Sequence, residues 1–201
     1  MKKLLLFALL SLLALSNVKA QQLSYGFKLG ANLTTMNTDG DETKTGFNGG
    51  VFGQLRIANF AIQPEVLFSM QGAKYDYITL WDDIMIQYTG KVNISYLSVP
   101  VMLQYYIIPG LAVEGGPQVS FLLAAKNKPD DWESRKIKNL MKSTDFALNF
   151  GASYKLPAVP LGFYARYSLG LSDIFEKENY EVFEQEKGKN RMVQLGMFVK
   201  F

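Results

Sequence analysis

The feature that most constrains this chain is a two-residue period that returns eight times. Over residues 23–33, Leu23, Tyr25, Phe27, Leu29, Ala31 and Leu33 share one face, while Ser24, Gly26, Lys28, Gly30 and Asn32 share the other. That is the period of a strand, without a helical stripe. The pattern recurs over residues 46–58, 60–71, 95–106, 111–123, 145–155, 161–171 and 191–201. In the last run Val193, Leu195, Met197, Val199 and Phe201 alternate with Gln194, Gly196, Phe198 and Lys200. Short connections (58–60, 107–110, 156–160) alternate with long polar ones (34–45, 72–92, 126–144, 172–190). Strands joined in that rhythm predict an all-β, eight-stranded antiparallel up-and-down barrel. Ile137, Leu140 and Met141 are spaced for one short helical turn inside the third long connection.

Periodicity alone does not say which face is inside, but volume does. The apolar face is crowded with Leu, Phe, Tyr, Val and Met, and an eight-stranded interior is just wide enough for side chains or one small ligand. The other face carries Gly26, Gly30, Gly50, Gly116, Gly151, Gly162, Gly170 and Gly196 among serines and a few long polar chains. That set fits a narrow lumen, so the apolar face looks outward, which only lipid favours. Each run has the ~10 residues that a tilted membrane strand needs. Tyr25, Phe27, Tyr105, Tyr154, Phe163 and Tyr167 then fall on the outward face, as aromatic girdles do. An even strand number with short turns on the periplasmic side places both mature termini in the periplasm.

The first 20 residues read as a cleavable secretory signal: a basic Met1-Lys2-Lys3, an apolar stretch over 4–15, then Val18-Lys19-Ala20. The barrel domain is then 21–201. Removal of Lys2, Lys3 and Lys19 lowers the basic count from 21 to 18, equal to the 18 acidic residues. The formal charge of +3 belongs to the signal, and nucleic-acid binding has no electrostatic support. The chain has neither cysteine nor histidine, which removes thiol chemistry, the usual general base and the commonest metal ligand.

Four charged residues fall mid-strand on the inward face: Lys28, Glu65, Glu114 and Arg166. They sit on strands one, three, five and seven, at similar distances from the strand starts. Their charges sum to zero, which predicts an ion-paired structural plug helped by Gln54, Gln104, Gln118, Asn149 and Tyr164. The competing readings are a selectivity ring, or Glu65 and Glu114 as acid and base. No nucleophile with a histidine partner exists to support an enzyme. Pro64, Pro100 and Pro117 fall inside strands, where the missing donor predicts bulges or breaks.

The loops are the variable part. The third long connection holds six basic and three acidic residues, and the fourth holds six acidic and three basic, so mutual pairing is one expectation. Trp132, Tyr180 and Phe183 are loop aromatics of the kind that contact a protein partner. Asp82-Asp83 and Asp130-Asp131 offer at most weak calcium binding, since neither has the spacing of a defined calcium loop, and no resident metal or cofactor is expected.

The segments IQPEVLFSMQG (62–72), YLSVPVMLQYY (96–106), VEGGPQVSFLL (113–123), DFALNFGASY (145–154) and ARYSLGLSDI (165–174) resemble the PorT-like family of small outer-membrane β-barrel proteins. The opening YGFKLGANLTTM and the close QLGMFVKF are similar as well. Ser98 departs from the family, which often has an acidic residue there. The resemblance implies an integral barrel of the bacterial outer membrane, in contact with outer-membrane lipid. It implies no single activity, although the namesake is associated with protein secretion linked to gliding motility. Structural, partner-binding, secretion-accessory and narrow-pore roles therefore stay open. Barrels of this kind end on an aromatic residue read by the barrel-assembly machinery, which makes Phe201 the expected assembly signal.

Overall fold

The computed structural model describes residues 21–36, 41–81, 84–129, 134–172 and 190–201. The segment 1–20, expected to be a signal, lies outside them. Eight strands close a ring: β1 (Gln21–Met36), β2 (Lys44–Ile57), β3 (Phe60–Trp81), β4 (Ile84–Ile108), β5 (Leu111–Pro129), β6 (Thr144–Lys155), β7 (Leu161–Gly170) and β8 (Asn190–Lys200). Each pairs antiparallel with its sequence neighbours, and β8 returns to β1 in a register that runs from Gly26↔Lys200 to Met36↔Asn190. Past the last ladder pair, the Tyr25 amide donates to the Phe201 carbonyl at 3.1 Å and the Phe201 amide donates to the Tyr25 carbonyl at 2.8 Å. Two-residue pieces, Asp41–Glu42 and Arg135–Lys136, extend the sheet beside β3 and β5.

The alternation sorts the two faces as the volume argument requires. Outward residues stay exposed, with Phe27 at 58 %, Phe150 at 54 % and Leu195 at 50 %, whereas Glu65 and Arg166 on the inner face are 1 % and 2 % exposed. A continuous outward band of this kind is far larger than the apolar patches that water-soluble monomers tolerate. Among the described residues no helix is long and apolar enough to cross a membrane, so the crossing elements are strands.

The strands are unequal. β3 and β4 run on through residues 72–92, taken above as a loop, in ladder pairs that reach Trp81↔Ile84. Alternation fades there because both faces leave the membrane and need no apolar side, yet Tyr75, Tyr77, Ile78 and Thr79 still favour extended backbone. The third long connection likewise keeps β5 extended to Pro129, then forms a 3₁₀ turn over Lys138–Leu140. Met141 follows that turn into a buried cluster with Ala73, Ile94, Tyr96, Leu122 and Ala125. This cluster lies on β3, β4 and β5 at the long-strand end, with Ile137 packed against it.

The three prolines interrupt pairing without shifting register. β2–β3 partners run to Phe52↔Glu65 and resume at Leu55↔Ile62; β4–β5 partners run to Pro100↔Gln118 and resume at Leu103↔Gly115. The register shifts of β4 against β5 lie elsewhere, at Ser95/Tyr96 and Tyr106/Ile108. The missing proline donors thus cost local hydrogen bonds while the neighbouring ladder holds the frame. Beyond Asn48↔Ser69 the β2–β3 seam opens. Side chains fill it: Thr34 Oγ1 donates to the Gly72 carbonyl at 2.8 Å, and Lys44 Nζ donates to the Val92 carbonyl at 2.9 Å and to Asn93 Oδ1 at 2.6 Å. Gly72 takes φ of 141° in this seam, and a Cβ there would lie 2.9 Å from Lys44 Nζ.

Candidate functional site: a closed polar lumen

β1, β3, β5 and β7 run in the same direction, and their inward positions bring Lys28, Glu65, Glu114 and Arg166 into one cluster. Lys28 Nζ donates to Glu65 Oε1 at 2.7 Å. Arg166 grips Glu65 with both terminal nitrogens, Nη1 to Oε2 at 3.1 Å and Nη2 to Oε1 at 3.0 Å. It also donates to Glu114 Oε1 from Nε at 3.0 Å and from Nη2 at 2.8 Å. The guanidinium fork therefore bridges two carboxylates, a geometry that lysine's point charge cannot supply. Gln63 Nε2 completes Glu65 at 2.8 Å, and Gln104 Nε2 completes Glu114 at 2.8 Å. All four charged residues are buried, so their desolvation is offset only by these contacts.

Amide layers continue on both sides. Toward the termini, Gln54 Nε2 donates among Gln63 Oε1 at 2.9 Å, Gln104 Oε1 at 2.5 Å and Tyr106 Oη at 3.0 Å, sharing two hydrogens among three oxygens. Lys200 Nζ donates to Gln54 Oε1 at 2.5 Å. Toward the long-strand end, Tyr164 Oη donates to Asn48 Oδ1 at 2.7 Å, and Asn48 Nδ2 donates to Asn32 Oδ1 at 2.6 Å. Asn149 Nδ2 donates to Gln118 Oε1 at 3.1 Å, and the Ser98 and Ser120 hydroxyls pair at 2.9 Å. Farther still, Asp145 accepts from the Ser172 hydroxyl and from Asn190 Nδ2.

Sequence reasoning placed Tyr164 in the lumen but missed that Phe52 and Phe198 join it there. Phe52, Tyr164 and Phe198 form a buried cluster on the inward face. Each ring stands directly across from a glycine: Gly26↔Phe52, Gly196↔Tyr164 and Gly162↔Phe198. A Cβ on Gly162 would lie 2.2 Å from Phe198 Cζ, so the empty face of that glycine is the space the ring occupies. Lys28 Nζ sits 4.6 Å from the Tyr164 ring centroid and 5.8 Å from that of Phe52, a cation–π contact beside its ion pair. Little space is left: two cavities along the lumen, one lined by Gln54, Gln104 and Lys200 and one by Asp145, Ser168 and Asn190, measure about 10 Å³ each. That is roughly the room one water needs.

Among the described residues no group of three or more acidic side chains is placed to hold a metal ion. Phe201 lies at the β1–β8 seam, its ring 6.0 Å from that of Tyr25 and 6.5 Å from that of Phe27. Trp132, Tyr180 and Phe183 lie outside the described residues.

The family model for the outer membrane protein β-barrel domain matches residues 19–176. The chain belongs to that family. This outer-membrane barrel is also similar in fold to Ail, the attachment invasion locus protein of Yersinia pestis, solved in complex with the heparin analogue sucrose octasulfate. The TM-score is 0.50 at 17 % identity, covering 90 % of this chain and 99 % of Ail. It is similar to Neisserial surface protein A at a TM-score of 0.51 and 13 % identity, covering 88 % of this chain and 97 % of that one. No curated protein sequence matches the chain. At these identities the likeness carries the eight-stranded architecture and nothing finer.

Proposed function

We propose that this outer-membrane barrel is a non-conducting, non-enzymatic protein that acts through the surface at its long-strand end. Both termini and the short turns face the periplasm. The observation that carries the reading is the lumen: four paired charges and flanking amide layers fill its middle, and the two cavities described along it hold about 10 Å³ each. The absence of a histidine or cysteine nucleophile supports a non-enzymatic role. With the interior filled, variation is left to the loops, and Trp132, Tyr180 and Phe183 are our candidates for contact with a protein partner. The resemblance to PorT-like chains supports an anchor for a protein assembly and assigns no activity. Phe201 is our candidate for the signal read by the barrel-assembly machinery.

Planar-bilayer recording tests the closed lumen. The purified barrel inserts without steady openings. Steady single-channel currents that change when Glu65→Gln or Arg166→Met is introduced would make the lumen a pore and overturn the reading.

A further inference from the structure

Outside the lumen, a second arrangement of charge stands out because three neighbouring strands repeat one sign, although the short strand Asp41–Glu42 sets Glu42 opposite Lys74. Lys74 of β3 is the direct cross-strand partner of Lys91 of β4, and Lys91 is the direct partner of Lys128 of β5. Two residues back along β5, Lys126 faces Lys136. All five are exposed. Among the described residues none of the five side chains has an ion pair; the three salt bridges all lie inside the lumen. Like charges directly opposite one another on adjacent strands destabilise a sheet. Lysine also guards exposed sheet edges, but β4 is flanked by β3 and β5 and has no edge to guard at Lys91. The acidic fourth loop, expected to pair with the basic third, lies outside the described residues over 173–189.

Their height places them beside the lipid. Lys126 lies three residues beyond Leu123, an exposed member of the outward apolar band. That is about 10 Å along the strand, and less in height because the strand is tilted. The headgroup layer adds roughly 5–7 Å to each side of the hydrocarbon. Lysine stems at and above that level bend toward it. Neighbouring strands are ~4.8 Å apart, so the row presents three ammonium groups side by side, with Lys128 five residues beyond Leu123 and the stems long enough to reach back toward the headgroups. We propose that Lys74, Lys91 and Lys128, with Lys126 and Lys136 beside them, bind anionic phosphate groups of the lipid leaflet around the long-strand end. The site requires only that the barrel is embedded in lipid. Which leaflet it meets follows from the orientation proposed above, so the site and that orientation fail separately.

The test uses the whole mature chain refolded in uncharged detergent micelles, with diphosphoryl lipid A as the probe and native mass spectrometry to count bound lipid. Lipid A binds in a salt-sensitive manner. Lys74→Gln/Lys91→Gln/Lys128→Gln weakens it on the order of a hundredfold, from about one basic-residue increment per lysine. The three Lys→Arg replacements and Lys138→Gln/Lys142→Gln retain binding. If the triple glutamine variant loses its heat-modifiable mobility, Lys91→Gln alone serves and loses several-fold. Three results overturn the proposal. One is lipid A binding that the triple variant leaves unchanged. The second is inorganic phosphate binding as tightly as lipid A. The third is heparin binding in the absence of any lipid A binding, which would assign the row to a soluble polyanion.

Discussion

Arg166→Met is the substitution whose cost the lumen defines best. Arg166 makes four hydrogen bonds, two to Glu65 and two to Glu114. Without it, Glu65 keeps Lys28 and Gln63, but Glu114 keeps only Gln104. An uncompensated carboxylate is then buried in the barrel centre. Breaking a buried pair in this way costs about 3–5 kcal/mol. With a urea slope of about 2 kcal/mol per molar, the unfolding midpoint falls by roughly 2 M. Lys28→Met costs less, because Glu65 retains the guanidinium fork. The decisive arm is the double variant Arg166→Met/Glu114→Gln. It removes the orphaned charge and recovers about half of the loss, since a neutral amide in that position is still hydrogen-bonded by Gln104. Unfolding is followed in short-chain phosphatidylcholine vesicles by intrinsic fluorescence and by heat-modifiable mobility. An Arg166→Met barrel within about 0.5 kcal/mol of the parent would refute the argument. So would a double variant no more stable than the single one.

Further outcomes follow from the same geometry. Gly162→Ala puts a methyl into the Phe198 ring and destabilises the barrel by about 1–3 kcal/mol, and Phe198→Leu in the same chain restores most of it; failure of that rescue removes ring packing as the cause. Deleting Phe201 takes away two seam hydrogen bonds and the candidate assembly signal, so assisted insertion into native membranes slows; insertion at the parental rate counts against that role. Lys44→Met leaves the Val92 carbonyl and Asn93 amide without their donor, and hydrogen exchange at the β2–β3 seam speeds up while exchange in β6–β8 does not.

The ring of eight strands was legible because a strand buried on one side writes its period directly into the sequence. The convergence of Lys28, Glu65, Glu114 and Arg166 was legible for a related reason: parallel-running strands put equal offsets at similar heights. What stayed hidden depended on register. Phe52 and Phe198 look like breaks in a polar face until each is set opposite Gly26 or Gly162, and a lone strand does not reveal its partner. Residues 72–92 were read as loop because the apolar side of the alternation ends where the lipid ends, while the hydrogen-bonded ladder does not. The prolines were expected to bulge or to break the pairing; the strands on either side hold their register, and the outcome is a gap in the ladder. The lysine row was invisible for the same reason as the rings, since Lys74, Lys91 and Lys128 are neighbours only in the folded sheet.

The division between interior and exterior charge bears on what the barrel can do. Inside, opposite charges are matched one against another, and every member is held by at least one further side chain. A solute path would need Arg166 to release both carboxylates, in a medium where the freed charges have little water to replace their partners. On the proposed closed-lumen reading, the buried Met141 cluster at the long-strand end is a second, apolar obstacle. These two barriers involve different residues and different forces, so relieving either one alone leaves the lumen shut. Outside, at the height where lipid gives way to water, like charges are set side by side and left open to whatever approaches. That division, opposite charges paired inside and one sign repeated outside, is what the two proposals together expect of a barrel that meets an anionic surface and passes no ions through its centre.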